Sequence, residues 1–272
     1  MKIPNILLND GTKIPQIGLG LYLVKDENDF MSAFKCAYDN NYRLFDSAQF
    51  YKNEQFIAKA IKKYKINRED ILITTKIAVN NFGYKKTLKS FDESLKKLES
   101  NYVDLILLHF PVPVLRKSSW KALEEIKEQG LAKSIGVSNY TIKHLEQLKK
   151  YANILPSVNQ VELHLFLQQP ELLKYCNKNN IKVEAYAPLA HGLAMDNPLV
   201  LQLAKKYKKT YAQIMLRFLI QLNLIIIPKS VTRERIIQNI DILDFEIKKE
   251  DFKSLLTLDK NLRTCWDPTR IP

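Results

Sequence analysis

Short apolar runs alternate with longer amphipathic segments along the chain. This alternation predicts a parallel sheet covered by helices. A β-hairpin that turns at Asn9-Asp10-Gly11 is expected first. Eight predicted strands follow it: Ile17–Tyr22, Arg43–Asp46, Ile71–Lys76, Leu105–His109, Lys133–Ser138, Ser157–Glu162, Lys182–Ala187 and Leu224–Ile227.

The segments between these runs carry apolar residues at helical spacing. Examples are the sets Phe30, Ala33, Phe34 and Ala37, then Ile57, Ala60, Ile61 and Tyr64, then Leu88, Phe91, Leu95 and Leu98. Asn53 is expected to cap the second of these helices, with Glu54 in its first turn. The predicted fold is α/β, a (β/α)8 TIM barrel with an N-terminal β-hairpin and additional C-terminal helices.

Length and composition favour one large core. The chain has 272 residues, of which 46% are hydrophobic, and neither Pro/Gly-rich linkers nor internal repeats divide it. We therefore expect residues 1–272 to form a single domain. Residues 1–13 lack the apolar stretch of a signal peptide. Residues 214–227 are too short and too polar to span a bilayer, so a soluble protein is expected.

Cysteine usage bears on the cellular compartment and on metal binding. Cys36, Cys176 and Cys265 are odd in number and lack metal-ligand spacing. This pattern favours reduced thiols in a cytoplasm over a disulfide framework. The sequence predicts no metal site.

A formal net charge of +13 raises the question of nucleic-acid binding. Only 8 of the 42 basic residues are Arg, so 34 are Lys, and these are scattered along predicted helices. Solvated helix faces explain most of this charge, and no nucleic-acid or membrane partner is predicted. The remaining positive charge is expected to attract anionic ligands.

Four ionisable residues lie at or just past the ends of three successive predicted strands: Asp46, Tyr51, Lys76 and His109. Alone, each has an ordinary structural explanation, such as a helix cap for Asp46, packing for Tyr51 or a solvated strand end for Lys76. Together they occupy the edge where a (β/α)8 barrel carries its catalytic groups.

These residue types suit the protonation of a carbonyl oxygen. Lys76, held by Asp46, is expected to stabilise the phenolate of Tyr51 and to lower its pKa from about 10. A neutral His109 is expected to donate a second hydrogen bond to the developing alkoxide. The hydride must come from a cofactor, because no side chain supplies one.

The last strand and the segment after it suggest where that cofactor binds. Residues 18–23 lack the third glycine of a Rossmann fingerprint. A phosphate site built from the last loops of a barrel is the alternative. Lys229 and Ser230 follow the eighth strand, Thr232 is expected to cap the next helix, and Arg235 lies in its first turn. A salt bridge of Arg235 with a carboxylate remains an open alternative.

From about Leu7 to Leu258 the chain resembles the aldo-keto reductase superfamily. The resemblance rests on many pieces in the same order: Gly11-Thr12-Lys13-Ile14-Pro15, Gly18-Leu19-Gly20, Asp46 to Tyr51 with Asn53-Glu54, Thr75-Lys76, His109-Phe110-Pro111, Gly130, Lys133 to Asn139, Asn159 to Glu162, Ala185 to Leu189, and Ile227 to Ser230. It implies a catalytic tetrad of Asp46, Tyr51, Lys76 and His109. The short C-terminus resembles the microbial 2,5-diketo-D-gluconate reductase and prostaglandin F synthase-like branch more than mammalian aldose reductase.

The resemblance also implies a cofactor, NADPH/NADP+, and residues that bind it. Ser138, Asn139 and Gln160 would hydrogen-bond the nicotinamide carboxamide, Tyr186 would stack on its ring, and Leu189 belongs to the same set. The 2′-phosphate and adenine would be bound by Lys229, Ser230, Arg235, Gln238 and Asn239. Gln238 stands where the family often has Glu. Without the resemblance, the residues alone favour a helix cap for Ser138-Asn139 and a place in the core for Tyr186.

The substrate pocket is expected to differ from that of many relatives. Tyr22 and Phe110 occupy places where the family often has Trp, and Ala187 replaces a common Ser. The predicted substrate-binding residues are Tyr22, Phe50, His109, Phe110 and Trp266. The loop of residues 112–118 and the tail of residues 263–272 are expected to lie over the barrel mouth.

The predicted function is NADPH-dependent reduction of aldehydes and ketones by a cytoplasmic monomer. One alternative is a regulatory subunit that binds NADPH and senses its state with little turnover. Another is an aldolase in which Lys76 forms a Schiff base. That role needs a neutral lysine, whereas Asp46 would keep Lys76 charged.

Overall fold

The computed structural model describes residues 3–272 of the chain. It begins with the predicted antiparallel hairpin, β1 (Asn5–Leu7) and β2 (Lys13–Pro15), in which Ile6 lies opposite Ile14. The chain turns through residues 9–11, and Gly11 has a φ of 85°, which glycine adopts without steric cost. Both inward residues are buried, so the hairpin covers one end of the barrel core.

Eight parallel strands follow within residues 3–272, as predicted. They are β3 (Gly18–Gly20), β4 (Leu44–Asp46), β5 (Leu72–Ile77), β6 (Val103–Leu108), β7 (Ala132–Ser138), β8 (Val158–Glu162), β9 (Lys182–Tyr186) and β10 (Ile225–Ile226). Each strand pairs with the next one along the chain, from β3 to β10. The ends differ from prediction most at β3, which stops two residues earlier than expected, and at β6, which begins two residues earlier than expected.

The seam between β3 and β10 nearly closes the barrel. Isolated parallel bridges join Ile17 to Ile226 and Gly20 to Lys229. The backbone N–H of Gly20 donates to the Pro228 carbonyl over 3.1 Å. A Cβ at Gly20 would lie 2.8 Å from the carbonyl oxygen of Ile227. Glycine is therefore required here for the two segments to approach each other.

Ten helices lie within the same described range. They are α1 (Glu27–Asp39), α2 (Glu54–Tyr64), α3 (Tyr84–Leu98), α4 (Arg116–Glu128), α5 (Ile142–Lys149), α6 (Pro170–Lys178), α7 (Pro198–Tyr207), α8 (Tyr211–Gln221), α9 (Arg233–Ile240) and α10 (Lys249–Leu256). α10 follows the last barrel helix, as expected of a C-terminal addition, and packs against α7. No helix in residues 3–272 is long and apolar enough to cross a membrane.

The predicted helical faces are buried or partly buried against the core. Phe30, Ala33, Phe34 and Ala37 of α1 are fully enclosed. Several of these helices begin with a side-chain cap, such as Thr210 with Gln213 at α8, which form a reciprocal capping box. These local signals fix where the helices begin, and the apolar faces fix which side meets the sheet.

Asn53 occupies the predicted N-cap position, but the prediction that its side chain caps the helix is wrong. Asn53 stands at the N-cap position of α2, but its side chain makes no hydrogen bond to that helix. Instead, its amide donates to the carbonyls of Leu21 and Val24, and its oxygen accepts a 2.7 Å hydrogen bond from Ser47. Asn53 therefore ties the loop after β3 to the loop after β4, both of which carry site residues.

Asp10 fastens the hairpin to the closed end of the barrel. Its carboxylate accepts hydrogen bonds of 2.9 Å from the ammonium of Lys127 and from the hydroxyl of Ser157. Burial disfavours the charge, but Lys127, the Thr12 N–H and neighbouring hydroxyls outweigh it and lower the pKa of Asp10 from 3.8 to about 2. The hairpin is thus held by a charged contact as well as by apolar packing.

We expect Asp10→Asn to lower the free energy of unfolding near neutral pH by about 1–2 kcal/mol. Because the folded-state pKa is depressed, this stabilisation is present above about pH 4 and is lost as the pH falls through about 2. Urea unfolding of both proteins across this range tests it, and the two curves should converge in acid. The control, Asp39→Asn, breaks only the exposed pair with Lys35 and should cost less than about 0.5 kcal/mol.

Candidate active site

The carboxyl ends of the parallel strands surround a cleft of about 680 Å³. Asp46 ends β4, His109 follows β6, and Gln160 and Tyr186 lie near the ends of β8 and β9. The predicted residues that line the cleft are Tyr22, Asp46, Phe50, Tyr51, His109, Ser138, Asn139, Gln160, Tyr186, Leu189, Lys229 and Trp266. Residues far apart in sequence therefore meet at one site because all of these strands run in the same direction.

The ammonium of Lys76 lies beneath Tyr51 and is fully buried. Its Nζ donates to Asp46 Oδ1 over 2.5 Å, to the Ser47 carbonyl over 2.9 Å and to the Tyr51 hydroxyl over 3.1 Å. An ammonium has three donors, and each of them has a partner here. Lys76 is therefore fixed in place and is in direct contact with the phenol oxygen.

The expectation of a lowered pKa for Tyr51 is wrong. Burial, followed by the negative charge of Asp46, raises the pKa of Tyr51 well above its usual value of 10. Burial is the main cause, because a buried phenolate is poorly solvated, and the Asp46 carboxylate adds a negative charge close to the phenol. Tyr51 is therefore fully protonated at neutral pH, which is the state that a proton donor needs.

His109 stands across the cleft from Tyr51, with their ring centroids 5.7 Å apart. Burial, reinforced by the nearby Lys76 charge, lowers the pKa of His109 to about 3. Its imidazole is therefore neutral at neutral pH. Such a ring has one N–H to donate and carries no charge that would repel Lys76.

Gln49 holds the turn that carries Phe50 and Tyr51. Its Nε2 donates to the carbonyl of Ser90 over 2.9 Å and to the hydroxyl of Ser94 over 3.1 Å. Its Oε1 accepts from the backbone of Ala78 over 2.9 Å and from the Asn81 amide over 2.8 Å. The turn is thus fastened to α3 and to the segment after β5.

Three of the predicted nicotinamide contacts form a chain of hydrogen bonds. The hydroxyl of Tyr186 donates to Asn139 Oδ1 over 2.7 Å. Asn139 Nδ2 in turn donates to the His109 carbonyl over 3.1 Å and to Ser138 Oγ over 3.0 Å. Asn139 has a φ of 66°, so the chain leaves β7 in a left-handed conformation that asparagine tolerates. This geometry fixes the Tyr186 ring at the cleft wall and leaves the Ser138 hydroxyl hydrogen available.

Gln160 joins two buried carboxyl groups. Its Nε2 donates to Asp46 Oδ2 over 2.8 Å and to Glu184 Oε1 over 2.6 Å. Within residues 3–272, no side chain or backbone group donates to its Oε1. Gln160 therefore offers the cleft an acceptor, while its two donors orient the acids below.

The predicted phosphate segment lies at the side of the cleft. Lys229 lines it, and Ser230 lies beside the start of α9. Arg235 is exposed in the first turn of α9, and no carboxylate in the described part of the chain pairs with it. The predicted cap at Thr232 is wrong: its backbone N–H donates to Ser230 Oγ instead, and its side chain does not cap the helix. Gln238 is exposed and Asn239 is buried on the same helix, outside the cleft lining.

Aromatic rings form the outer wall of the cleft. The Tyr22 ring lies 5.0 Å from that of Tyr51, and the Phe50 ring lies 5.8 Å from that of Trp266. Phe110 was expected on this wall but does not line the cleft. Its ring packs 6.4 Å from that of Trp266, so it supports the wall from behind.

Glu162 anchors the tail that brings Trp266 to the cleft. Its Oε1 accepts hydrogen bonds of 2.6 Å from both the backbone and the hydroxyl of Thr264, and its Oε2 accepts one of 3.2 Å from the Cys265 backbone. Burial opposes this charge, but the His164 ring and Thr264 outweigh it and lower the pKa of Glu162. Thr264, Cys265 and Trp266 line the cleft, which confirms that this part of the tail lies over the mouth.

The other predicted cover, residues 112–118, differs from expectation. α4 already begins at Arg116, and none of these residues lines the cleft. The guanidinium of Arg116 instead donates to the carbonyl of Pro272, in the last part of the tail, over 2.9 Å. The segment thus holds the tail rather than covering the mouth.

Sequence reasoning missed Gln49, Glu162 and Glu184 as site residues. Gln49 and Glu162 belong to matched motifs, but nothing in the sequence shows their partners. Glu184 carried a usable signal, because it is a charged residue in the middle of a strand that is expected to be buried. It lies two residues before Tyr186, so both side chains belong to the same face of β9.

Comparisons with known proteins agree with this geometry. The sequence profile described as "Aldo/keto reductase family" matches residues 16–260. The chain is 40% identical to glyoxal reductase of Bacillus subtilis over 98% of this chain and 96% of that protein. It is 39% identical to methylglyoxal reductase DkgA of Escherichia coli over 97% and 96%. The crystal structure of a Bombyx mori aldo-keto reductase in complex with NADP has a TM-score of 0.91 at 32% identity and covers 97% of this chain and 95% of that one.

We expect Glu162→Gln to loosen the tail around Trp266. The substitution removes the negative charge that accepts the Thr264 and Cys265 hydrogen bonds, and charge-assisted hydrogen bonds contribute about 1.5–3 kcal/mol. Amide exchange at Thr264 and Cys265 should therefore become roughly ten-fold faster or more. Glu146→Gln, which removes an exposed carboxylate of α5, should leave this exchange unchanged. Unchanged exchange in Glu162→Gln would show that the tail is held by other contacts.

Proposed function

This chain belongs to the aldo/keto reductase family, and we propose that Tyr51 is the acid of its reaction and that small 1,2-dicarbonyl compounds are its substrates. The reaction class is NADPH-dependent reduction of aldehydes and ketones. The observation that carries the role of Tyr51 is its 3.1 Å contact with the buried Lys76 ammonium.

The residues around the cleft fit NADPH. The Ser138 hydroxyl and Gln160 Oε1 supply a donor and an acceptor that match the two ends of a carboxamide. The Tyr186 ring, oriented by Asn139, presents an aromatic surface for stacking on the nicotinamide. Lys229 and Arg235, which pairs with no carboxylate within residues 3–272, provide positive charge at the start of α9 for a 2′-phosphate. We propose that Ser230, Gln238, Asn239 and Leu189 complete this binding surface.

The proposed chemistry divides between the cofactor and the protein. NADPH, when bound, supplies the hydride to the carbonyl carbon. Tyr51 transfers its phenolic proton to the carbonyl oxygen, and Lys76 then stabilises the phenolate through the existing hydrogen bond. Asp46 keeps Lys76 charged and in position. The neutral His109 ring donates a hydrogen bond to the same oxygen and so sets the orientation of the carbonyl.

A role for Lys76 as a Schiff-base nucleophile conflicts with this geometry. A nucleophilic amine must be neutral. Lys76 donates to Asp46 over 2.5 Å and has all three of its donors engaged. Its place is below the phenol rather than on the cleft wall.

The proposal of small dicarbonyl substrates rests on two observations. Two relatives that match almost the whole chain are named for glyoxal and methylglyoxal. Moreover, the tail brings Trp266 close to Phe50 at the mouth, which narrows the entrance above Tyr51 and His109. We further propose that residues 1–272 work as a single-domain cytoplasmic monomer. The free thiols of Cys36, Cys176 and Cys265 are consistent with that compartment.

We expect Tyr51→Phe to lower kcat with methylglyoxal by roughly 10²–10⁴-fold, because the proton donor is lost. The Kd for NADPH, measured by fluorescence titration, should change less than about three-fold. The matched control is Tyr84→Phe, which removes an exposed phenol on α3 and should leave both quantities near wild type. Equal losses of turnover and of NADPH affinity would mean that Tyr51 is structural.

Replacement of Arg235 by Ala tests the phosphate site. Loss of a charge-assisted contact of about 1.5–3 kcal/mol should raise the Kd for NADPH by roughly 10–100-fold and leave the Kd for NADH unchanged. Arg233→Ala, an exposed arginine two residues earlier on α9, is the control. If both variants weaken NADPH and NADH binding equally, general positive charge rather than 2′-phosphate recognition is responsible.

A further inference from the structure

Two carboxyl groups share one cation at the centre of the barrel. Asp46 and Glu184 are both buried, and Gln160 Nε2 donates to each of them. Lys76 contacts Asp46, and no other ammonium or guanidinium in residues 3–272 lies within ion-pair distance of either group. Two ionised carboxylates would therefore leave an uncompensated negative charge in a closed interior, which is strongly unfavourable.

The hydrogen bonds distinguish the two acids. Asp46 uses both oxygens, accepting from Lys76 with one and from Gln160 with the other. Glu184 accepts a single hydrogen bond from Gln160, and its Oε2 has no partner among the described residues. A carboxylate with one buried oxygen left bare is poorly stabilised, whereas a neutral carboxyl group tolerates such a site better. The geometry therefore favours Asp46 as the charged member.

Taken together, the surroundings of Glu184 also favour its neutral form. Burial, followed by the negative charge of Asp46, raises the pKa of Glu184 to about 8, although Lys76 and Gln160 oppose this. Asp46 lies on β4, Lys76 on β5 and Tyr51 in the turn after β4, while Ile225 of β10 pairs beside Glu184 and is apolar. Burial also raises the pKa of Asp46, but contact with the ammonium favours its charged form.

We propose that Glu184 is a positioning residue of the reductase and that it carries a proton in the working enzyme. Gln160 holds its neutral carboxyl group close to Asp46. As a result, one carboxylate lies below Tyr51 instead of two. Glu184 does not line the cleft, so it acts on the reaction through its neighbours. Its neutral form leaves the Lys76 charge balanced by Asp46 alone. Its ionised form adds a second negative charge near the phenol.

This second charge has a defined effect on the proposed acid. An ionised Glu184 raises the pKa of Tyr51 further, since like charges disfavour the phenolate. Proton donation by Tyr51 should then become slower as the pH rises through about 8, even though Tyr51 itself stays protonated. This consequence rests on the proposed role of Tyr51, whereas the protonation of Glu184 can be measured without it.

The first test is infrared spectroscopy of the cofactor-free protein, with glutamate isotopically labelled at the side-chain carboxyl carbon. At about pH 6, the wild type should show the carbonyl band of a protonated carboxyl group, and this band should be lost by about pH 9. Glu184→Gln should abolish the pH-dependent band. Glu162→Gln, which removes another fully buried strand-end glutamate, should keep it, because the pKa of Glu162 is lowered and that group is ionised throughout. Absence of the band in the wild type, or its persistence in Glu184→Gln, overturns the proposal.

The second test is the pH dependence of kcat. The wild type should lose turnover several-fold between about pH 7 and 9, and Glu184→Gln, which keeps an acceptor for Gln160, should be flat over this range. Identical alkaline limbs in the two proteins would overturn the coupling to Tyr51. If Glu184→Gln does not fold, the labelled wild type alone decides whether Glu184 holds a proton. Full turnover in Tyr51→Phe with an intact infrared band would refute the proposed acid but not the protonated Glu184.

Discussion

The site depends on the buried ammonium of Lys76, whose positive charge must be balanced by a nearby counterion. Lys76 is enclosed in the barrel wall, and a charge in that environment is tolerated only with a close counterion and satisfied donors. Asp46 on the neighbouring strand meets the first need, and the Ser47 carbonyl and the Tyr51 phenol meet the second. The position of the proposed acid is thus a consequence of solvating Lys76.

The parallel barrel is what makes that pairing possible. Register places Asp46 beside Thr74, two residues before Lys76, so both charged groups emerge at the same edge. The close approach at Gly20 brings the end of the sheet, and with it Lys229, near its beginning. Loops then complete the site: Gln49 fixes the turn that carries Tyr51, and Glu162 fixes the tail that carries Trp266. The strands supply the Asp46 and Lys76 pair, and the segments after them supply Tyr51, His109 and the shape of the entrance.

Much of this was predictable because periodicity and strand-end chemistry are local properties. The eight strands, the buried face of α1 and the gathering of Asp46, Tyr51, Lys76 and His109 follow from patterns within a few residues. The caps at Asn53 and Thr232 failed for the opposite reason. Their side chains were expected to satisfy the adjacent helix, but the fold supplied nearer partners, the carbonyls of Leu21 and Val24 for Asn53 and Ser230 for Thr232.

By itself, the sequence determined the order of strands and helices and which ionisable groups face the barrel mouth, because burial and turn propensities are encoded in short windows. Only the tertiary structure decided the state of those groups. Distances between strands determine the raised pKa of Tyr51, the neutral state of His109 and the pairing of the acids around Gln160. Some of these strands are far apart in sequence, since 138 residues separate Asp46 from Glu184. Electrostatic energies in a closed interior are set by those distances and by the exclusion of water, which no pattern along the chain records.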